Sequence, residues 1–237
     1  MKRKIMKRKK ELWLSFFLSF FLTQSFANNV DIKIAFLVEN MPVQPALSNL
    51  DPALTDEGIQ GAVLGVKDNN TTGLFTGHSY QLKTVEVPVG GDVQRMFDAL
   101  LNEGYQYVIV DVQTSMIKNL SAKAEKKDVL LFNVSSTASE LRNSGCSSHL
   151  FHLIPSEAMK ADALAQWMLK KRWTDWLLIK GRDAEDNEAT KALKRSAKRF
   201  GIKIVEEKTW NFDHDARRTA QKDIPVFTQG MEYDVLA

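Results

Sequence analysis

The sequence predicts an α/β protein of two Rossmann-like lobes, each a parallel sheet covered by helices on both faces, with the second lobe truncated. Three observations predict it. Short, almost wholly apolar runs at 107–112 (YVIVDV) and 129–134 (VLLFNV) read as strands buried on both faces. A stretch of helical length separates them, and the same alternation recurs along the chain, as expected for parallel strands joined by right-handed crossovers. Each run also stops at small polar side chains, Gln113-Thr114-Ser115 after the first and Ser135-Ser136-Thr137 after the second.

The first 27 residues stand apart from that pattern. Lys2, Arg3, Lys4, Lys7, Arg8, Lys9 and Lys10 precede an apolar run at 12–22 (LWLSFFLSFFL), and Ser25-Phe26-Ala27 offers a small-x-small cleavage site. This is the layout of a secretory signal peptide, with an apolar run too short to span a bilayer. Export to the periplasm through the inner membrane is therefore expected, with a soluble mature chain. Removing the leader also reverses the charge. The whole chain carries 32 basic and 29 acidic residues; the leader holds seven of the bases and Glu11, so the rest is net negative by about three. That balance gives no support for nucleic-acid binding. The single cysteine, Cys146, permits no internal disulfide, so stability must come from a hydrophobic core.

In chain order, 32–38 (IKIAFLV) is the first strand, followed by a proline-rich loop of the length that tends to carry function. Thr55 or Asp56 caps a helix with Ile59, Ala62, Val63 and Val66 on one face, expected to end at the polar run 69–73 (NNTTG). A strand at 80–87 and a helix with Val93, Met96, Phe97, Leu100 and Leu101 inward lead into the pair of strands already described. A short strand at 150–154 ends at Pro155. The rhythm then restarts: a helix from Ser156, a strand at 176–179, a helix at 187–200, a strand at 202–205, a short helix at 213–222 and an opening strand at 233–237. The expected domains are a signal peptide at 1–27, an N-terminal lobe at 28–155 and a second lobe at 156–237 that is incomplete.

The chemistry points to binding rather than catalysis. In open parallel sheets, ligands collect beyond the carboxyl ends of the strands. The polar tips Gln113, Thr114, Ser135, Ser136 and Thr137 are the expected ligand contacts, although Ser115, Thr137 and Ser139 equally fit helix caps. Arg182, after the 176–179 strand, is placed to pair with a ligand carboxylate, and Trp210 to stack on a planar ligand. Asp111 at a strand's end and Asp183, Glu185 and Asp186 in GRDAED are acid/base candidates to which the sequence ties no nucleophile or second carboxylate, so no catalytic residue is assigned. His149 and His152 fall on opposite faces of an extended segment, and no metal or cofactor is expected.

Taken together, the leader, IKIAFLV, EGIQGAVLGVKDNN, GYQYVIVDVQTS, VLLFNVSSTASELR and FHLIPSEAMKADALAQWMLKKRW resemble periplasmic substrate-binding proteins of ABC transporters, of the branched-chain amino-acid type. DNNTTGLFTG and the segment RRTAQKDIPVFTQGMEYDVLA resemble the sub-branch linked to pyrroloquinoline-quinone-dependent alcohol dehydrogenase systems. The resemblance implies the type 1 periplasmic-binding-protein fold, a small-molecule ligand held by the turns at Gln113-Thr114 and Ser135-Ser136-Thr137, a membrane permease as partner, and a monomer. It also implies a longer protein than this chain. The loop NMPVQPALSNLDP departs from the Gly-Ser-rich loop of amino-acid binders, and Arg182–Asp186 stands where those carry an aromatic contact. An anionic planar ligand such as the quinone would suit Arg182 and Trp210. The alternatives are a ligand-sensing periplasmic module and an exported α/β enzyme.

Overall fold

The computed structural model describes residues 29–42, 54–210, 222 and 224–237. The expected signal peptide, most of the loop after the first strand and nearly all of the 213–222 helix lie outside the described residues. Five strands, β1 (Val30–Glu39), β2 (His78–Val87), β3 (Tyr107–Asp111), β4 (Leu130–Asn133) and β5 (Leu150–His152), form one sheet in the order β2-β1-β3-β4-β5. The pairs β1–β3, β3–β4 and β4–β5 are parallel, with Leu37 opposite Val110, Val108 opposite Leu131, and Leu131 opposite Leu150. Three more strands, β6 (Asp175–Lys180), β7 (Lys203–Thr209) and β8 (Val235–Leu236), form a second parallel sheet in the order β7-β6-β8.

The helices are α1 (Glu57–Thr76), α2 (Val93–Asn102), α3 (Thr114–Lys127), α4 (Glu157–Lys170) and α5 (Ala184–Phe200). Residues 29–32 and 64–81 group as one compact unit. Residues 33–63 and 82–237 form another, which holds everything described below except the second half of α1 and the start of β2. The apolar spacing of α2 and α3 accounts for the larger core. Phe97, Leu100, Ile117, Leu120 and Ala124 are sealed against Ala35, Leu37, Val108, Val110 and Leu131. Asp92 starts α2 by accepting a hydrogen bond from the Arg95 amide, 3.0 Å away, as an N-cap should. Around β6, Trp176 is the centre of a smaller cluster with Ala165, Met168, Ala197 and Ile202. Its indole N–H donates to the Trp173 carbonyl at 3.0 Å, so this large side chain is buried with its one donor satisfied.

Three expectations change. The first helix does not end at Asn69–Gly73 but runs on to Thr76. The polar side chains there bond locally instead of unwinding it: Asn69 donates to the Gly65 carbonyl (2.7 Å) and Thr71 to the Asp68 carbonyl (2.6 Å). Asn70 clasps Tyr80 at both its amide (2.8 Å) and its carbonyl (2.9 Å). Gly73 then passes so close to the next strand that a Cβ would lie 2.1 Å from the His78 carbonyl oxygen. Gly73→Ala is therefore expected to cost about 1–3 kcal/mol in urea unfolding, the range for overpacking. Gly61→Ala, which meets nothing within 4 Å, should be neutral or mildly stabilising.

Second, α5 begins at Ala184 rather than 187, because Asp183 and Asp186 form a cap, the Asp186 carboxylate accepting from the Asp183 amide at 3.1 Å. Third, β7 continues to Thr209, beyond the apolar residues that mark its start. It is an edge strand, so its charged residues are tolerated, and Glu207 pairs with Lys180 at 2.9 Å and with Lys194.

Asp162 joins α4 to α5, accepting from the Ser196 hydroxyl, from Arg195 (3.0 Å) and from Arg199 (2.7 Å). The Ser196 hydrogen bond, against the penalty of burial and aided by Arg195 and Arg199, holds this carboxyl below the ordinary aspartate range. A folded value below the unfolded one means that the contribution is complete above about pH 4 and lost as pH falls through the folded value. Asp162→Asn should therefore shrink the difference in melting temperature between pH 6 and pH 3. No helix among the described residues is long and apolar enough to cross a membrane.

Candidate functional site

Parallel pairing of β3 with β4 sets Val110 beside Asn133, so the two chains leave the sheet side by side. The residues just past each strand therefore meet. Thr114 Oγ1 lies 2.6 Å from Ser136 Oγ. Ser135 bridges the strand ends, its hydroxyl accepting from the Val112 amide and donating to the Val112 carbonyl, both at 3.2 Å. Asn133 supports the turn from beneath. Fully buried, its side-chain oxygen accepts from the Ser135 (3.2 Å) and Ser136 (2.9 Å) amides, and its NH2 group donates to the Ser136 carbonyl (2.7 Å).

These residues floor a cleft of about 380 Å³, lined by Glu39, Met41 and Asp111, by 112–115, by Ser135 and Ser136, and by Ala184 and Glu185 of α5. Two helices begin at this cleft, α3 at Thr114 and α5 at Ala184. Helix N-termini normally invite anions. Here the protein's own carboxylates take that place. Glu39 accepts from both the backbone and side-chain N–H of Gln113, each at 3.0 Å, and the Asp183/Asp186 cap covers the start of α5. Asp111 and Glu185 add two more carboxylates, and among the described residues no Lys, Arg or His lines the cleft.

Of the residues expected from sequence, Gln113, Thr114, Ser135 and Ser136 line this one cleft, while Thr137, Arg182 and Trp210 do not. The Thr137 carbonyl accepts from the Glu157 amide at 2.8 Å, tying the turn to the start of α4. Arg182 is exposed just ahead of the α5 cap, and the Trp210 amide donates to the Lys180 carbonyl at 2.8 Å. Asp183, an acid/base candidate from sequence, is spent as the α5 N-cap. The Ser139 hydroxyl serves another element, accepting from the Ala158 amide (3.1 Å), and α3 is capped by Gln113 without a side-chain bond. Glu39 and Met41 were not singled out from sequence, while Glu185, expected as an acid/base candidate, lines the cleft beside Asp111. The strand-end rule reaches Glu39 once β1 is known to neighbour β3. Among the described residues, no group of three or more His, Cys, Asp or Glu is arranged to hold a metal ion.

A wider opening, about 420 Å³, lies at the other end of the same strands, between Asp98, Leu101, Asn102, Gly104, Tyr105, Gln106, Lys127 and Val129. It is the weaker site chemically. Helices α2 and α3 end there, so it gathers helix C-termini and the side chains of Asp98, Asn102, Tyr105, Gln106 and Lys127 rather than the helix starts of the first cleft.

The sequence profile of periplasmic binding proteins matches residues 52–220. Among solved structures, an ABC transporter substrate-binding protein from Desulfitobacterium hafniense is similar with a TM-score of 0.62 at 19% identity, over 84% of this chain and 56% of that one. A leucine-, isoleucine-, valine-, threonine- and alanine-binding protein from Brucella ovis gives 0.59 at 20% identity, over 82% and 52%. A solute-binding protein from R. palustris, in complex with benzoate, gives 0.58 at 13% identity, over 84% and 53%. This chain thus spans little more than half the length of these structures, and at such identities they speak to the fold alone. No curated protein matches. With the family profile covering most of its length and two parallel sheets flanked by helices, the chain belongs to the periplasmic binding proteins.

Proposed function

We propose that the chain is the ligand-capturing part of an exported ABC transporter substrate-binding protein. It holds a small, amino-acid-like molecule beyond the ends of β3 and β4 and passes it to an inner-membrane permease. The observation that carries this is the paired Thr114 and Ser136 hydroxyls at the floor of a cleft of ligand size. Relatives lend weight by class: the Desulfitobacterium protein is also described in complex with Leu, and the R. palustris protein with benzoate.

Charge selects among candidates. With Glu39, Asp111 and Glu185 in its wall and both helix starts occupied by carboxylates, the cleft favours a ligand bearing an ammonium group. Pyrroloquinoline quinone, a polyanion, is the less suitable guest. Turnover is not part of the proposal, because the two floor hydroxyls bond to each other and neither is paired with a base. Calorimetric titration of the mature protein with L-leucine, L-lysine, benzoate and pyrroloquinoline quinone tests this reading. Micromolar binding of an amino acid, weakened about fivefold by Ser136→Ala, is expected, since a net hydrogen bond contributes roughly 1 kcal/mol. Binding of the quinone alone, or of none of the four, would overturn it.

A further inference from the structure

The imidazole of His152 lies under the cleft, one residue removed from the hydroxyls. Its Nδ1 is 3.0 Å from the Asn133 NH2 group. The hydrogen-bond roles are fixed by Asn133. Its oxygen must face the Ser135 and Ser136 amides, because the flipped amide would set NH2 against two N–H donors. The NH2 group is thereby turned to the Ser136 carbonyl and to His152, so Nδ1 has to accept and the ring proton sits on Nε2. Contacts continue upward: Ser136 Oγ meets Thr114 Oγ1 and accepts from the Ala138 amide at 3.4 Å.

We infer that His152 is a positioning residue for the Ser135–Ser136 turn, acting through Asn133, and that protonating the ring releases the turn and loosens the cleft floor in acid. A second ring proton would point Nδ1–H at the Asn133 NH2 group, donor against donor. Asn133 is fully buried, so it must give up either the ring or the turn. The groups around the ring set where this happens. Arg142, from the 3-10 turn Ser139–Arg142, is the charged group facing it, and the Leu141 main chain and Asn133 are neutral. Burial and then the Arg142 charge push the imidazole below its ordinary value of about 6.5, against a smaller pull from the Leu141 main chain. A depressed value means that the neutral, turn-holding form prevails above about pH 6.5 and is lost as pH falls through the folded value.

His152 acts on the proposed ligand cleft, and only the consequence, weaker capture in acid, rests on that function. The test needs no ligand. In NMR spectra of the mature protein from pH 7.5 to 4.5, the Ser135 and Ser136 amides and the Asn133 side-chain NH2 should shift with the midpoint of the His152 ring. Protection of the Ser136 amide from hydrogen exchange should fall about tenfold as the ring charges. In His152→Gln, whose side-chain oxygen accepts at every pH, these shifts should vanish. Amides that ignore the His152 midpoint, or that still titrate in His152→Gln, would overturn the inference. If that variant does not fold, the wild-type midpoints decide alone.

Discussion

Replacing Trp176 with alanine is expected to remove about 3–5 kcal/mol of stability and to lower the melting temperature by roughly 6–20 degrees. The side chain is fully buried in the small cluster between α4, α5 and the β6 sheet, with four other core members: Ala165, Met168, Ala197 and Ile202. Two of those are alanines, whose methyl groups cannot move to fill the space left behind. The core around Phe97 and Leu120 has many more members, so a single truncation there leaves a cavity that neighbours share. Urea unfolding followed by circular dichroism gives the comparison. Trp176→Phe, which keeps most of the volume and removes the bond to the Trp173 carbonyl, should cost less than half as much. Equal losses in the two variants would mean that the polar handle, rather than the volume, holds this cluster together.

Asn133→Leu should be nearly as damaging for a different reason. The leucine fits by size but leaves the Ser135 and Ser136 amides, the Ser136 carbonyl and the His152 Nδ1 without their partner. Unsatisfied buried groups cost about 1–3 kcal/mol each, less whatever relaxation recovers. A total of roughly 3–4 kcal/mol by chemical denaturation is expected. The variant should also weaken ligand binding more than Ser136→Ala does, because it frees the whole turn. Full stability in Asn133→Leu would show that the turn is held by its backbone alone.

Much of the fold was legible because its strands are apolar along nearly their whole length. The runs around Val108–Val110 and Leu131 are apolar without alternation, as parallel strands tend to be, yet their burial alternates: Val108, Val110 and Leu131 are sealed while Ile109, Leu130 and Phe132 stay half-buried. The meeting of Thr114 with Ser136 was legible for a related reason: parallel neighbours in register must leave the sheet together. Less was readable wherever the answer depended on which strands are neighbours. Glu39 ends β1, and nothing local says that β1 lies beside β3 and so delivers its carboxylate to Gln113. Helix boundaries failed where polar side chains had two uses. Asn69 and Thr71 look like helix breakers, yet bond back onto α1. In GRDAED the acidic residues look like chemistry, yet Asp183 and Asp186 build a cap. Gly181 is needed there because a Cβ would sit 2.1 Å from the Asp186 carboxylate.

Electron density for a bound amino acid is the most direct arbiter of where, and whether, this protein holds a guest. In a crystal of the complex, the ligand is expected against Thr114 and Ser136, with its ammonium group turned toward Glu39, Asp111 or Glu185. Density instead in the opening bordered by Asp98 and Lys127, with the Thr114–Ser136 floor left empty, would contradict it.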